Sequence, residues 1–124
     1  MKIGFLKIVF LCSFTLFSLS LLKEQVLAAN SLDVVINEIA WMGTQTAYQD
    51  EWIELYNNIN SPLNLAGWRL VAGDGTPQIN LTGTVPVNGF YLLERTDDTT
   101  LPDIPADQIY TGDLKNAGED LSLY

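Results

Sequence analysis

Three glutamates in the first half of the chain are the residues best suited to acid–base chemistry. Glu38, Glu51 and Glu54 lie in or beside segments rich in β-branched and aromatic residues. Two carboxylates that flank a sugar linkage are the groups with which glycosidases cleave it. The sequence shows neither a cleft nor a partner that would shift a pKa, so we interpret them as strand residues that accept N–H bonds or face water. No catalytic residue is predicted.

The chain contains no histidine. This removes Ser-His-Asp and Cys-His catalysis, and it also removes zinc or iron ligated by imidazole. It removes the commonest general base at neutral pH as well. We therefore predict that the protein is not an enzyme and that it needs no cofactor.

Four aspartates, in the polar stretch 96–107, could ligate calcium through carboxylate oxygens: Asp97, Asp98, Asp103 and Asp107. No EF-hand spacing is present, because the nearest segment, residues 113–118, has no acid at its third position. We interpret the stretch as an exposed loop stiffened by two prolines, and no metal ligand is predicted. Calcium-dependent adhesion stays open as the weakest functional alternative.

Three tryptophans could form an aromatic platform for a sugar or a peptide. Trp68 shares a strand face with Leu70, so we expect it to be buried in the core. Trp52 shares a face with Tyr56 and is expected on the outer side of a sheet. Packing is the default for such residues, Trp41 included.

Residues 1–28 have the pattern of a secretory signal peptide. Lys2 and Lys7 precede an uncharged apolar run over residues 8–22, and small residues follow at Ala28 and Ala29. We predict cleavage after Ala28, with Ala29 as the alternative site, and secretion or display at the cell surface. The alternative is an uncleaved anchor, for which the run falls short of the ~20 residues of a spanning helix. The single cysteine, Cys12, lies in this segment and is read as an apolar filler.

The remaining residues, 29–124, are strongly acidic. They hold 14 acidic residues and three basic ones, Arg69, Arg95 and Lys115, for a net charge of −11. Binding to a phosphate backbone requires Lys and Arg to displace counterions. We therefore predict no binding to nucleic acid and no insertion of this domain into a membrane.

Period-two alternation predicts an all-β domain of short strands separated by turns. In the second segment, for example, Ile53 and Leu55 point one way while Trp52 and Tyr56 point the other. Asp74-Gly75 predicts a hairpin, since a tight turn there needs positive φ. The expected strands lie at residues 32–41, 51–57, 68–72, 78–81, 90–94, 109–110 and 121–124.

Three motifs in register resemble the lamin-tail domain family: Asn37-Glu38-Ile39, the run EWIELYN over residues 51–57, and Leu-x-Gly-Trp-x-Leu over residues 65–70. The resemblance extends from Asp33 to Tyr124. It implies an antiparallel, immunoglobulin-like β-sandwich in a module that bacteria use in exported or surface proteins, often beside hydrolase domains. It carries over no catalytic residue.

One departure from the family concerns the end of the chain. Family members continue past the LSLY segment, residues 121–124, through a turn into another strand. We therefore expect the domain to be C-terminally incomplete and to lack its last strand. The predicted function is a non-catalytic binding module for an unknown protein or cell-surface ligand. The alternative is the targeting module of a longer exported hydrolase or nuclease.

Overall fold

The computed structural model describes residues 30–124, so the predicted signal peptide and Cys12 lie outside the described residues. Within this range the secondary structure consists of β-strands, and no helix has the length and hydropathy to cross a membrane. Nine strands are present: β1 (Val34–Ala40), β2 (Trp52–Asn57), β3 (Leu63–Asn64), β4 (Arg69–Ala72), β5 (Gln78–Asn80), β6 (Thr84–Val85), β7 (Phe90–Arg95), β8 (Gln108–Tyr110) and β9 (Leu121–Leu123).

The larger sheet has four strands in the order β1-β2-β7-β8. Alternation along β2 places Ile53 and Leu55 in the core, fully shielded from solvent, as the sequence predicted. Trp52 and Tyr56 lie half-buried on the other face. A bulge between Ile36 and Glu38 shifts the register of β1 against β2.

A three-stranded sheet, β5-β4-β9, and a two-stranded ribbon, β3-β6, supply the facing layer. The core is one cluster of buried residues contributed by all three sheets, among them Ile53 and Leu93 from the large sheet, Leu70 and Ile79 from the second, and Val85 from the ribbon. Apolar faces of separate sheets thus bury one another, the defining feature of a β-sandwich. The predicted fold class is confirmed.

The β4–β5 hairpin carries the predicted turn, and Gly75 has φ +91° there. The strand β9 pairs with β4 and lies at the edge of its sheet. Whether a further strand follows it stays a prediction.

One pairing departs from the all-antiparallel prediction: β8 runs parallel to β7. A parallel neighbour needs a crossover of about a dozen residues, and the polar stretch 96–107 provides it. Two backbone bonds of β7 fix this crossover, since the N–H of Leu92 donates to Asp107 Oδ2 at 2.8 Å and the N–H of Asp107 donates to the Leu92 carbonyl at 2.9 Å. The stretch is largely exposed, as predicted.

Candidate functional site

The candidate site lies at one end of β2, where residues 41–51, which join β1 to β2, meet residues 111–120, which lead into β9. We call this region the open end. Both segments lie between regular strands, so their side chains are positioned by tertiary contacts rather than by a sheet ladder. At their centre is Glu51, the residue that directly precedes β2.

Glu51 is buried, with 2% of its surface exposed. Its Oε1 lies 3.2 Å from Arg95 Nη1, and its Oε2 accepts a bond from the N–H of Leu114 at 3.0 Å. Burial raises the pKa of Glu51, while the Leu114 N–H and the Arg95 charge oppose that rise. Glu51 thus contacts β7 through Oε1 and, through Oε2, holds residues 111–118 against the end of the large sheet.

Two tyrosines complete the surroundings of this ion pair. The Arg95 guanidinium lies 5.9 Å from the centre of the Tyr48 ring, within cation–π range. The Tyr110 hydroxyl is buried and has no hydrogen-bond partner within residues 30–124. Burial raises the pKa of Tyr110, and the Glu51 charge raises it further. The cluster is therefore a buried anchor that fixes two loops.

The other two glutamates singled out in the sequence do not join Glu51. Glu38 and Glu54 are register partners on β1 and β2. Glu38 is exposed, and Glu54 accepts a bond from Asn37 Nδ2 at 2.5 Å. The two side chains lie on an open sheet surface, and there is no enclosed space between them for a substrate. This agrees with the interpretation of both glutamates as strand residues.

Two cavities flank Leu114 at the open end. The first, of about 300 Å³, is lined by Tyr48, Glu51, Arg95 and residues 113–117. The second, of about 290 Å³, is a mostly apolar groove lined by Ile39, Trp41, Leu114, Gly118, Glu119 and Leu121. We call the second the Glu119 groove. An apolar concavity with a single polar group is the usual form of a ligand site.

Residues 41–51 form an ordered loop that presents large apolar side chains to solvent. Trp41, Met42 and Tyr48 are 45%, 66% and 77% exposed. The Thr44 hydroxyl accepts bonds from the N–H groups of residues 46 and 47 and donates to Asp50.

A glycine allows the tight fold of this loop. Gly43 has φ +68°, and a Cβ there would lie 2.6 Å from the carbonyl oxygens of Ala47 and Tyr48. No other residue fits that approach without a shift of the backbone. The exposed side chains are therefore displayed on a preorganised scaffold.

The structure does not bring the three tryptophans together. Trp41 lines the Glu119 groove, while Trp52 is half-buried on the outer face of the large sheet. Trp68 packs against the core cluster but is only half-buried, because it precedes β4 and borders an open cavity with Leu123 and Tyr124. The expectation of a fully buried Trp68 was wrong in degree.

The four aspartates of the stretch 96–107 do not converge either. Asp97 accepts a bond from the Thr99 hydroxyl, Asp98 accepts one from the N–H of Ala106 at 2.7 Å, and Asp107 bonds to β7 as described. Within residues 30–124, no group of three or more acidic or cysteine side chains has an arrangement suited to a metal ion. These carboxylates shape the crossover loop.

Sequence reasoning missed two buried polar residues and the role of Glu119. Glu94 is fully buried and accepts bonds from the N–H groups of Thr100 and Leu101 at 3.1 and 3.0 Å. Asn57, also fully buried, lies at the far end of β2. The sequence did contain a signal for Glu94. This residue directly follows three core residues of β7, a position at which a side chain exposed to solvent is not expected.

A family model described as Lamin Tail Domain matches residues 28–123. No curated protein matches the chain significantly. The family's domain is an immunoglobulin-like and generally non-catalytic interaction module, in agreement with the all-β sandwich and with the use of Glu51 as a structural anchor. The chain belongs to the lamin-tail domain family.

Proposed function

We propose that this domain is the interaction module of an exported protein and that it binds a protein ligand through the open end. The observation that carries the proposal is the preorganised loop 41–51, which holds Trp41, Met42 and Tyr48 exposed beside an apolar groove. Aromatic residues and methionine are enriched at protein interfaces, and their burial supplies most of the binding energy. Loops on a rigid sandwich are the usual place for such residues.

The acidic charge supports a protein ligand over a nucleic acid. Residues 30–124 carry the net charge of −11, and all three of their cations are engaged. Arg95 pairs with Glu51, Lys115 pairs with Asp74, and the Arg69 guanidinium lies 5.8 Å from the Tyr124 ring centre. An anisotropy titration with a DNA duplex at low salt should therefore detect no binding.

Export is the second part of the proposal, and the pattern of residues 1–28 supports it. A charged start, an apolar run and small residues at positions 28 and 29 are the features that a signal peptidase recognises. Expression in a bacterial host, followed by fractionation and mass spectrometry, should recover a product that begins at residue 29 or 30 outside the cytoplasm. A cytoplasmic product that retains Met1 would contradict export.

The ligand-binding part is tested by retention of exported and surface proteins of the producing cell on the immobilised domain. The variant Trp41→Ser/Met42→Ser removes two of the three large exposed side chains of the loop and keeps Tyr48. A matched control, Val87→Ser/Ile104→Ser, removes two side chains of similar exposure (44% and 56%) outside the open end.

The wild type and the control should retain the same specific protein, and the loop variant should lose it. Equal retention by all three proteins would contradict a role for the open end. Failure to retain any specific protein would contradict the binding function itself. Circular dichroism of each variant verifies that the fold is intact.

A further inference from the structure

The Glu119 groove contains an unsatisfied charge-bearing group. Glu119 Oε2 is buried and has no hydrogen-bond partner within residues 30–124. The groove around it is formed largely by apolar side chains, including Ile39, Trp41 and Leu121. A carboxylate oxygen that leaves water without gaining a partner is destabilising. Glu119 is half-buried, so a donor brought by a ligand can reach its carboxylate group and offset this cost.

The chemistry of that donor follows from the groove. A lysine side chain has a flexible apolar stem that can lie along Ile39 and Leu121, and its ammonium group is a compact donor for one oxygen. The indole of Trp41 offers a cation–π face to the same ammonium group.

We propose that the Glu119 groove binds a lysine side chain, flanked by apolar residues, of a partner protein. This inference rests on the proposed function and specifies the ligand of the same site. The net charge of −11 over residues 30–124 attracts a cationic segment from a distance. It repels an acidic segment, including a second copy of this domain.

A second copy also lacks a suitable donor within residues 30–124. Its three cations are held by Glu51, Asp74 and the Tyr124 ring. Addition of a strand to β1, the edge of the large sheet beside the groove, is opposed by the bulge between Ile36 and Glu38. The groove itself, rather than the edge of β1, is thus the recognition element.

The test uses capped pentapeptides with a central lysine and leucine, valine or phenylalanine on both sides. Matched peptides replace lysine with norleucine, which keeps the stem and removes the charge, or with glutamate. Binding to the purified protein is followed by NMR shifts of the Trp41 indole and the Leu121 amide. We expect saturable binding of at least one lysine peptide and at least about tenfold weaker binding of its norleucine and glutamate analogues.

The variant Glu119→Gln should weaken the lysine peptide by about tenfold or more and leave the norleucine peptide unchanged. Asp120→Asn is the matched control, because it removes the same charge from the adjacent, exposed residue. Trp41→Ala should weaken both peptides, and the lysine peptide more, because the lysine peptide also loses its cation–π contact. Thermal melts establish that each variant is folded.

Three results of the peptide titrations would overturn the inference. They are the absence of saturable binding by every lysine peptide, equal affinity for lysine and norleucine, and an effect of Asp120→Asn as large as that of Glu119→Gln. Shifts at Trp41 that grow with protein concentration alone would identify a second copy as the occupant and would also overturn it. If lysine and norleucine peptides bind equally but Trp41→Ser/Met42→Ser still abolishes protein retention, the proposed function holds and only the lysine specificity is wrong.

Discussion

The two ends of strand β2 differ in how completely their buried polar groups are hydrogen-bonded. At the far end, Asn57 is fully buried, and its amide makes four hydrogen bonds. Its Nδ2 has two hydrogens, which it donates to the Ser61 and Pro86 carbonyls at 2.9 and 2.8 Å, and it shares one of them with the Val85 carbonyl at 3.2 Å. Its Oδ1 accepts from the N–H of Ile59. We call this region the closed end.

The open end leaves polar atoms without partners. Glu51 is satisfied there, but the Tyr110 hydroxyl and Glu119 Oε2 are buried with no hydrogen bond within residues 30–124. Two cavities lie beside them. A polar network in which every group is hydrogen-bonded stabilises one arrangement of the chain. Unsatisfied groups beside a cavity can instead form hydrogen bonds with a ligand, and those bonds would contribute to the free energy of binding. The contrast gives the closed end a role in stability and is consistent with the proposal that a ligand binds at the open end.

Loss of the Asn57 amide should have the largest effect. Asn57→Ala removes these hydrogen bonds and leaves the Val85 carbonyl, at a buried position, and the N–H of Ile59 without this partner, so we expect unfolding to become easier by roughly 3 kcal/mol. Urea denaturation measures this change. Asn58→Ala is the control, because this exposed neighbour makes one side-chain bond, to the Leu32 carbonyl. Similar losses for both variants would contradict a special role for the closed end.

Loss of the Glu51 charge should come next. Glu51→Gln keeps the shape of the side chain but leaves the Arg95 guanidinium, 15% exposed, without its charged partner. The Gln amide NH2 is a donor where the carboxylate had an acceptor, so it opposes either the Arg95 guanidinium or the Leu114 N–H, and we expect a loss of about 2 kcal/mol. Denaturation gives the loss, and NMR of residues 111–118 should reveal local loosening. A neutral result would show that the open end does not depend on this anchor.

The sequence allowed prediction of the parts of the fold in which one strand face is apolar. Ile53, Leu55 and Leu70 alternate with polar or aromatic residues, so their burial followed from spacing. Two-residue strands such as β3 and β6 are too short to show alternation, and neither was anticipated. Their pairing depends on contacts between distant segments, which no local pattern encodes.

The candidate site was less predictable because its residues depend on long-range contacts. Glu51 bonds to Leu114, 63 residues away, and nothing near Glu51 in the sequence indicates that partner. Glu119 is unremarkable in the sequence, and its importance comes from the groove around it. The local sequence pattern identified residues with reactive or polar side chains. Only the tertiary structure showed which of these side chains lack a hydrogen-bond partner.

Two tyrosines sharpen the comparison at a smaller scale. Tyr91 lies on β7 opposite Leu55 of β2. Its hydroxyl donates to the Thr82 carbonyl and lies 3.0 Å from Gln108 Oε1. Tyr91→Phe should therefore destabilise the protein by about 1 kcal/mol. Tyr110→Phe removes a buried hydroxyl that has no partner within residues 30–124, so its stability should be unchanged or rise by up to about 1 kcal/mol. Thermal melts of the two variants decide, and equal losses would mean that the Tyr110 hydroxyl is satisfied in solution.

The smallest expected effect concerns the exposed pair of Asp74 and Lys115, which ties residues 111–118 to the β4–β5 turn. The Lys115 ammonium and the N–H of Thr76 lower the pKa of Asp74 below 3.8. A lowered pKa in the folded state means that this contribution is present above pH 3.8 and is lost as pH falls through the folded value. Glu51 has the opposite sign, since its raised pKa makes its contribution largest at low pH and smaller as pH rises past 4.5.

Asp74→Asn should therefore lower Tm slightly at neutral pH, and the difference from the wild type should vanish as the pH falls through the lowered pKa of Asp74. Added salt should shrink the neutral-pH difference, because both groups are exposed and their attraction is screened. Asp103→Asn, which removes a charge from the crossover loop, controls for net charge. A difference that persists at low pH would show that Asp74 acts through the Thr76 hydrogen bond, which Asn retains only in part, rather than through Lys115. In that case the outer tie on residues 111–118 would be weak, and Glu51 alone would hold the open end in place.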